Sequence, residues 1–540
     1  MGTLHRKIVF VTTAMLVIGL FFIGCGGQDK ISEEPEIKID PNTTIGSLAE
    51  VFSADLVAVE GYGLVGGLNG TGSAECPPQI RAYLEQYILQ QLPPSEVDVE
   101  KLLSSRDTAV VYLKGLMPEE VSKNRYFDVK VYALPGTQTT SLEGGWLYEA
   151  ELKSSVSFEV SVKVPASAEG PVFIDTTTDY EPDKKIGYVL AGGKSLEEYK
   201  ISLSLVKPDY KITNLIRNKL NERFGKDTAN AVSPGQIELK VPAIYSEQKQ
   251  RFISIVKSLY LTETSKLAKQ RIADFIRKLA VLEEPDTSEI ALEAIGKESL
   301  GKLAVLLNSS NEDVRLRAAR CMLNMGNDEG LDAIRQIAMD KNSSYRVEAL
   351  EAITRGTSRN DAAAISRRLL RDENFNIRLA AYEQLRKLDD ISISQKLIAS
   401  NFFLEQITQT NYKAIFVSRS GEPRIVLFGA PIYCRDNIFI QSTDGNITIN
   451  APPDQKYVSI IRKHPKRPNV LIQLKSSFEL ADKIQTLCEE PLKKGDQEKQ
   501  GLGVSYAEMI GLLKQMSDKG AVKAEFHVGP LPKIERIVKK

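Results

Sequence analysis

Histidine is nearly missing from this chain. Its 540 residues hold three, His5, His464 and His527, beside a single tryptophan. Histidine titrates near neutral pH and is the commonest metal ligand, so its scarcity weighs against acid–base hydrolases and zinc enzymes. Cysteine is sparse too. Cys25, Cys76, Cys321, Cys434 and Cys488 fall outside metal-ligand spacing of one another and of any histidine. Neither Gly-x-Ser-x-Gly nor His-Glu-x-x-His occurs. An excess of charge is also lacking, with Lys plus Arg and Asp plus Glu at 70 each. Bulk charge therefore offers nucleic acid no hold, and scattered carboxylates read as solvated faces. These absences point away from an enzyme, a metal centre, a cofactor and a nucleic-acid partner.

What is present is the composition of a folding chain, 42% hydrophobic and 26% charged. Its length implies roughly two to four domains. One long apolar run stands out, Ile8 to Ile23, behind the basic "MGTLHRK" and ahead of "GCGG". It is short for a membrane span and has a small-residue flank, which predicts a signal peptide over residues 1–24. Cys25 after Phe22-Ile23-Gly24 resembles a lipobox cysteine, although Phe22 replaces the usual aliphatic residue. Lipid attachment at Cys25 is the expectation, with an ordinary secretory signal as the alternative. Gly26 lacks the aspartate that retains enteric lipoproteins at the inner membrane, which points to the outer one. Residues 25–44 are polar and unpatterned, as in a flexible tether.

Residues 61–72 read "GYGLVGGLNGTG", and the first six spell Gly-x-Gly-x-x-Gly. A dinucleotide fold needs a helix opening on the third glycine. Here Gly67, Asn69, Gly70, Gly72, Pro77 and Pro78 follow, and helical spacing begins only with Ile80, Leu84, Tyr87, Ile88 and Leu92. The fingerprint fails for want of a helix dipole at the loop. "GYVLAGGKS" (Gly187 to Ser195) fails as a Walker loop, because Tyr188 stands where the first glycine belongs.

The run instead resembles the N-terminal signature of the flagellar basal-body P-ring protein family, Gly-Tyr-Gly-Leu-Val-Val-Gly-Leu-Asn-Gly-Thr-Gly-Asp, with Gly66 for valine and Ser73 for aspartate. The resemblance continues in order through "DTAVVYLKGLMP", "NRYFDVKVYALPGTQTTSLEGGWLYEAELK", "KPDYKITNLIRNKLNERFG", "GQIELKVPAIY" and "KQRFISIV". "SYAEMIGLLKQMSDKGAVKAEFHV" is similar to the family's terminal helix and strand. Residues 45–262 and about 415–530 are covered. Independently of the family, "VSFEVSVKV" places Val156, Phe158, Val160, Val162 and Val164 on one face, and "YFDVKVYAL" alternates likewise.

From Leu267 to Leu388 the sequence is helical in pattern and repeats. "NEDVRLRAARCML", "NSSYRVEALEAI" and "NFNIRLAAYEQL" align Arg315, Arg346 and Arg378 in register. Paired amphipathic helices at this period resemble HEAT repeats, a solenoid whose units bury their faces on neighbours. The arginines read as buttresses between repeats. Farther on, "TDGN" (Thr443 to Asn446) predicts a hairpin turn. "IIRKHPKRPNV" is a basic run, read as a solvated loop with acidic lipid or peptidoglycan as the alternative. Cys434–Cys488 is the first disulfide to consider in an oxidising periplasm.

The fold class expected is therefore α+β, a β-rich P-ring-like module split by an inserted HEAT-like α-helical solenoid. The domains are 45–262 and 406–540 for the P-ring-like parts, with 263–405 for the repeats. The resemblance implies a ring-forming subunit around the flagellar rod in the periplasm, part of a bushing beside the L ring and the peptidoglycan. It implies assembly contacts at Gly61, Gly63, Leu64, Leu68, Asn69, Gly70 and Thr71, where the signature matches letter for letter. Partners would be copies of itself, rod and L-ring proteins, an envelope protein docked on the solenoid, and a membrane through the lipid only. The alternative is a lipid-anchored envelope scaffold outside the flagellum.

Overall fold

A computed structural model describes residues 39–52, 57–91, 98–117, 124–154, 164–178, 180–197, 201–464, 467–490 and 501–534. Cys25 and the tether up to residue 38, and the alternating stretch 156–164 apart from Val164, lie outside them.

The chain enters through α1 (Ile45–Leu48), β1 (Ala49–Phe52) and β2 (Val57–Gly66). Next come α2 (Pro78–Gln91), α3 (Val99–Leu103), β3 (Thr108–Met117), β4 (Tyr126–Ala133), β5 (Trp146–Leu152), β6 (Ala166–Pro171) and β7 (Ile186–Ser195). Strands β2 to β7 close into a barrel in the order β2-β3-β4-β7-β6-β5. Alternation explains it: Val59, Val111, Leu113, Val129, Val131 and Val189 point inward and are fully buried. The Walker-like stretch is simply strand β7.

A second module follows. β8 (Ile201–Leu205), α4 (Tyr210–Phe224), β9 (Ala229–Ser233), β10 (Gln236–Leu239) and α5 (Lys249–Ser258) complete a sheet of order β1-β8-β10-β9. Asp209 caps α4 by accepting from the backbone N–H groups of Lys211 and Ile212. Ile216 and Leu220 of α4, with Phe252, Ile255 and Val256 of α5, cover Ile201 and Leu203 of the sheet.

The helical block runs through α6 (Ser265–Ala280), α7 (Pro285–Ile295), α8 (Leu300–Leu306), α9 (Glu312–Asn324), α10 (Leu331–Met339), α11 (Arg346–Gly356), α12 (Arg359–Leu369) and α13 (Phe375–Lys387). The repeated motif has a local cause. Asn311 and Asn374 cap α9 and α13 with their side-chain oxygens. Four residues on, Arg315 donates to the Ser309 and Ser310 carbonyls, and Arg378 to those of Asp372 and Glu373. Each of these two arginines thus ties down the loop before its own helix rather than bridging repeats. Only Arg346 bridges, pairing with Asp372 at 2.5 Å while donating to the Ala338 carbonyl.

The helices stop at Lys387. Residues 393–405, expected within the repeats, instead hold β11 (Ile393–Ile398) and most of β12 (Phe402–Ile407), which pair antiparallel with each other while β12 also pairs in parallel with residues 424–428. β13 (Ala414–Val417), β14 (Arg424–Phe428), β15 (Ile438–Gln441), β16 (Ile447–Ala451), β17 (Val458–His464), β18 (Arg467–Ser476), α14 (Leu480–Cys488), α15 (Tyr506–Asp518) and β19 (Glu525–Val528) complete the chain. One sheet has the order β11-β12-β14-β13-β19, the other is the antiparallel meander β15-β16-β17-β18. The "TDGN" turn joins β15 to β16, with Gly445 at φ +67°. Within the basic run, residues 460–464 belong to β17 and 467–470 to β18 rather than to a loop, and residues 465–466 lie outside the described residues.

Cys434 and Cys488 are both buried and both free, so the suggested pairing is not made. Burial pushes the Cys434 thiol up, against the pull of the neighbouring Lys483 ammonium. That ammonium, itself buried, donates to the Ser477 carbonyl at 2.7 Å.

Candidate assembly site

The glycine signature spans the last step of barrel closure. β5 meets β2 at Val65–Leu147 and Gly66–Trp146, and the two strands touch again at Glu60–Lys153. Between these points the strands pass very close. A Cβ on Gly61 would stand 2.2 Å from the Glu151 carbonyl oxygen, and one on Gly63 would stand 3.0 Å from the Ala150 Cβ. Only glycine lets the backbones approach this far. Leu64 packs with α2 and α3, while Leu68 plugs the barrel core, and both are buried.

The signature then turns. Asn69 and Gly70 have φ of +49° and +90° and are exposed. The Thr71 hydroxyl donates to the carbonyls of Leu68 (2.9 Å) and Ser141 (2.8 Å), stitching the turn to the loop before β5. Gly61, Gly63, Leu64 and Leu68 are therefore buried and shape the barrel. Gly67, Asn69 and Gly70 are exposed and Thr71 is half-buried, so the turn is where the signature reaches the surface.

Beside the signature, β2, β5, α2 and α3 enclose an apolar cavity of about 370 Å³, lined by Leu64, Leu84, Tyr87, Ile88, Leu102 and Tyr148. Burial, then the nearby carboxylates of Glu149, Glu151 and Glu169, pushes the Tyr87 phenol far above its usual range. Among the described residues no group of three or more His, Cys, Asp or Glu side chains could hold a metal ion.

The solenoid is bonded into the molecule at both ends. At its start, Arg251 of α5 pairs with Glu289 of α7 at 2.7 Å and also with Glu293. Arg320 grips Glu289 with two nitrogens, at 2.8 and 2.6 Å, and the Tyr245 hydroxyl donates to Glu293 at 2.9 Å. Burial alone would raise the Glu289 carboxyl, but Arg251 and Arg320 outweigh it and hold the pKa at about 2. At its end, α13 covers one face of the β11–β19 sheet. Phe375 and Tyr382 lie edge-on to Phe428, with ring centroids 5.6 and 5.7 Å apart. The Tyr382 hydroxyl donates to the buried Glu405 at 2.5 Å, and Arg386 pairs with the same carboxylate at 2.9 Å.

The C-terminal part also docks directly on the barrel. Asp128 of β4 accepts from the Ser420 hydroxyl at 2.6 Å and from the Gly421 N–H. Arg419 pairs with Asp175 at 3.0 Å. Reading carboxylates as solvated faces missed Glu289, Glu293 and Glu405. A usable signal was available in "SEIALEAI", where two glutamates four apart lie on a stripe otherwise built of Ile, Ala and Leu.

The flagellar P-ring protein family model matches residues 44–273, and the HEAT-repeat model matches residues 300–386. A flagellar P-ring protein of Desulfotalea psychrophila is 24% identical over 282 residues, covering 46% of this chain and 65% of that protein. The one from Thermotoga maritima is 28% identical over 214 residues, covering 37% and 61%. That of Geotalea uraniireducens is 23% identical over 283 residues, covering 48% and 68%. The chain thus spans somewhat under two thirds of the length of the first two relatives, at 65% and 61%. It is similar to flagellar P-ring proteins through the barrel and the sheet module that follows it, and to HEAT-repeat proteins through its solenoid.

Proposed function

We propose that this protein is a structural subunit of the flagellar basal-body P ring, the periplasmic ring around the rod. The observation that carries the reading is the continuous match over residues 44–273. It takes in the whole barrel, the signature that closes it, and the complete β1-β8-β10-β9 module. P-ring proteins form a structural rather than an enzymatic family, and subunits of a ring work by holding shape.

A closed barrel with a buried ionic joint suits that task, since both resist shear. The solenoid is welded to the sheet module by Arg251 and to the C-terminal sheet by Tyr382, so it moves with the ring as a fixed shoulder. Its outer face would dock an envelope protein. Lipid on Cys25 would tether each subunit to the outer membrane, with rod and L-ring proteins as neighbours. An in-frame deletion tests the reading: motility should be lost and should return with the gene supplied in trans. Unimpaired swimming in the deletion strain would contradict it.

A further inference from the structure

The apolar cavity beside the signature is open, and its rim is acidic. Glu149 lies in the register shift between Leu147 and Ala150, across from Glu169 on β6, and both carboxylates are exposed. No cation pairs with either among the described residues. The exposed Leu89 and Tyr148 extend the apolar surface around them. Such a site fits an aliphatic side chain flanked by cations.

The chain carries one element of that description. Residues 455–478 hold Lys456, Arg462, Lys463, Lys466, Arg467 and Lys475 and no Asp or Glu. Within this stretch β17 and β18 pair antiparallel, and β18 is a sheet edge with no second strand beside it among the described residues. Its register sets Leu471 opposite Lys463. Alternation puts Leu471, Gln473 and Lys475 on one outward face, and all three are exposed. Leu471, at 63% exposure, thus faces Lys463 across the hairpin, and Lys475 lies four residues along the same face with its ammonium 4.2 Å from the Tyr457 ring centroid; neither lysine has a carboxylate partner among the described residues.

We propose that in the assembled ring the β17–β18 hairpin of one copy seats Leu471 in the barrel cavity of the next, with Lys463 and Lys475 meeting Glu149 and Glu169. The inference rests on the ring reading above and adds the contact that joins subunits. Space suffices, since a dry cavity of about 150 Å³ already holds a benzene ring. Because the two surfaces differ, the contact is head-to-tail, and repetition generates a ring when the rotation closes. Opposite charge on the two surfaces also opposes hairpin-to-hairpin and barrel-to-barrel pairing.

The test is charge reversal with rescue, read by sedimentation velocity of the full chain over a concentration series. Glu149→Lys with Glu169→Lys, and separately Lys463→Glu with Lys475→Glu, should each weaken self-association about tenfold or more. Combining all four should restore it to within about threefold. Leu471→Asp should weaken it with no charge partner to rescue it. All five positions are exposed, so circular dichroism melts should match the wild type. Wild-type association that ignores every reversal overturns the pairing and leaves the ring reading intact. Sensitivity to the barrel reversals alone overturns it as well, because the cavity rim would then meet a different part of the neighbouring copy. A wild-type chain that stays monomeric throughout overturns both.

Discussion

Arg251 on α5, the last helix of the sheet module, donates to Glu289 on the second solenoid helix at 2.7 Å, with both side chains largely out of water. This contact joins the sheet module, within the P-ring match, to a helix that lies between that match and the HEAT-repeat match. Removing one partner of a buried ion pair strands the other charge, at a cost of about 3–5 kcal/mol. Arg251→Ala should therefore lower stability by about that amount in urea melts. Tyr245→Phe, which removes one hydrogen bond to Glu293, should cost about 2 kcal/mol. Equal, small losses would mean that water already fills the joint.

The same joint gives stability a sign in pH. The Glu289 pKa falls from its ordinary 4.5 to about 2 in the folded protein. A depressed folded pKa contributes stability that is fully present above the unfolded value and disappears as pH falls through the folded one. The joint should thus be intact at neutral pH and weaken between about pH 4.5 and 2. Thermal melts of wild type and Glu289→Gln should converge across that window. Curves that stay parallel down to pH 2 would remove Glu289 from the account.

Within the signature, glycines should differ by position. Gly61→Ala drives a Cβ into the Glu151 carbonyl, a backbone atom that cannot swing aside, and should cost about 3 kcal/mol. Gly70→Ala meets open space and only a positive φ, so about 1 kcal/mol is expected. Guanidinium melts of the two variants decide it. The opposite order would place the constraint in the turn rather than in barrel closure.

Solenoid removal should fail as a clean truncation. Helices of the block cover Ile407, Ala414, Phe416, Val426 and Phe428, all buried. Deleting residues 267–388 would bare that face, and the product should aggregate. Phe428→Ala in the full chain should cost about 4 kcal/mol. A soluble, monomeric deletion protein with native circular dichroism would show the solenoid to be a detachable arm.

What could be read from sequence was local. The helical repeats were legible because arginines on paired amphipathic helices recur at a fixed period, and the β15–β16 turn because Asp-Gly favours a tight hairpin. Barrel closure was not, since β2 meets β5 about 80 residues later through a glycine contact that leaves no periodic trace. The resemblance marked these glycines as assembly contacts, and the close approach of β2 to β5 is a second use of the same residue type that the signature does not reveal. Glu289, Glu293 and Glu405 looked solvated because a charged residue on an amphipathic helix or strand reveals its partner only after distant elements pack. Cys434 and Cys488 looked pairable on compartment alone, whereas packing sets Cys434 against Lys483.

The central claim is flagellar membership, and composition of the organelle tests it most directly. Intact hook–basal bodies purified from the native organism would be analysed by quantitative mass spectrometry. The account predicts this chain at near-stoichiometric abundance with the rod proteins, with no other P-ring protein beside it. Basal bodies that contain a different P-ring protein and lack this chain would contradict the account.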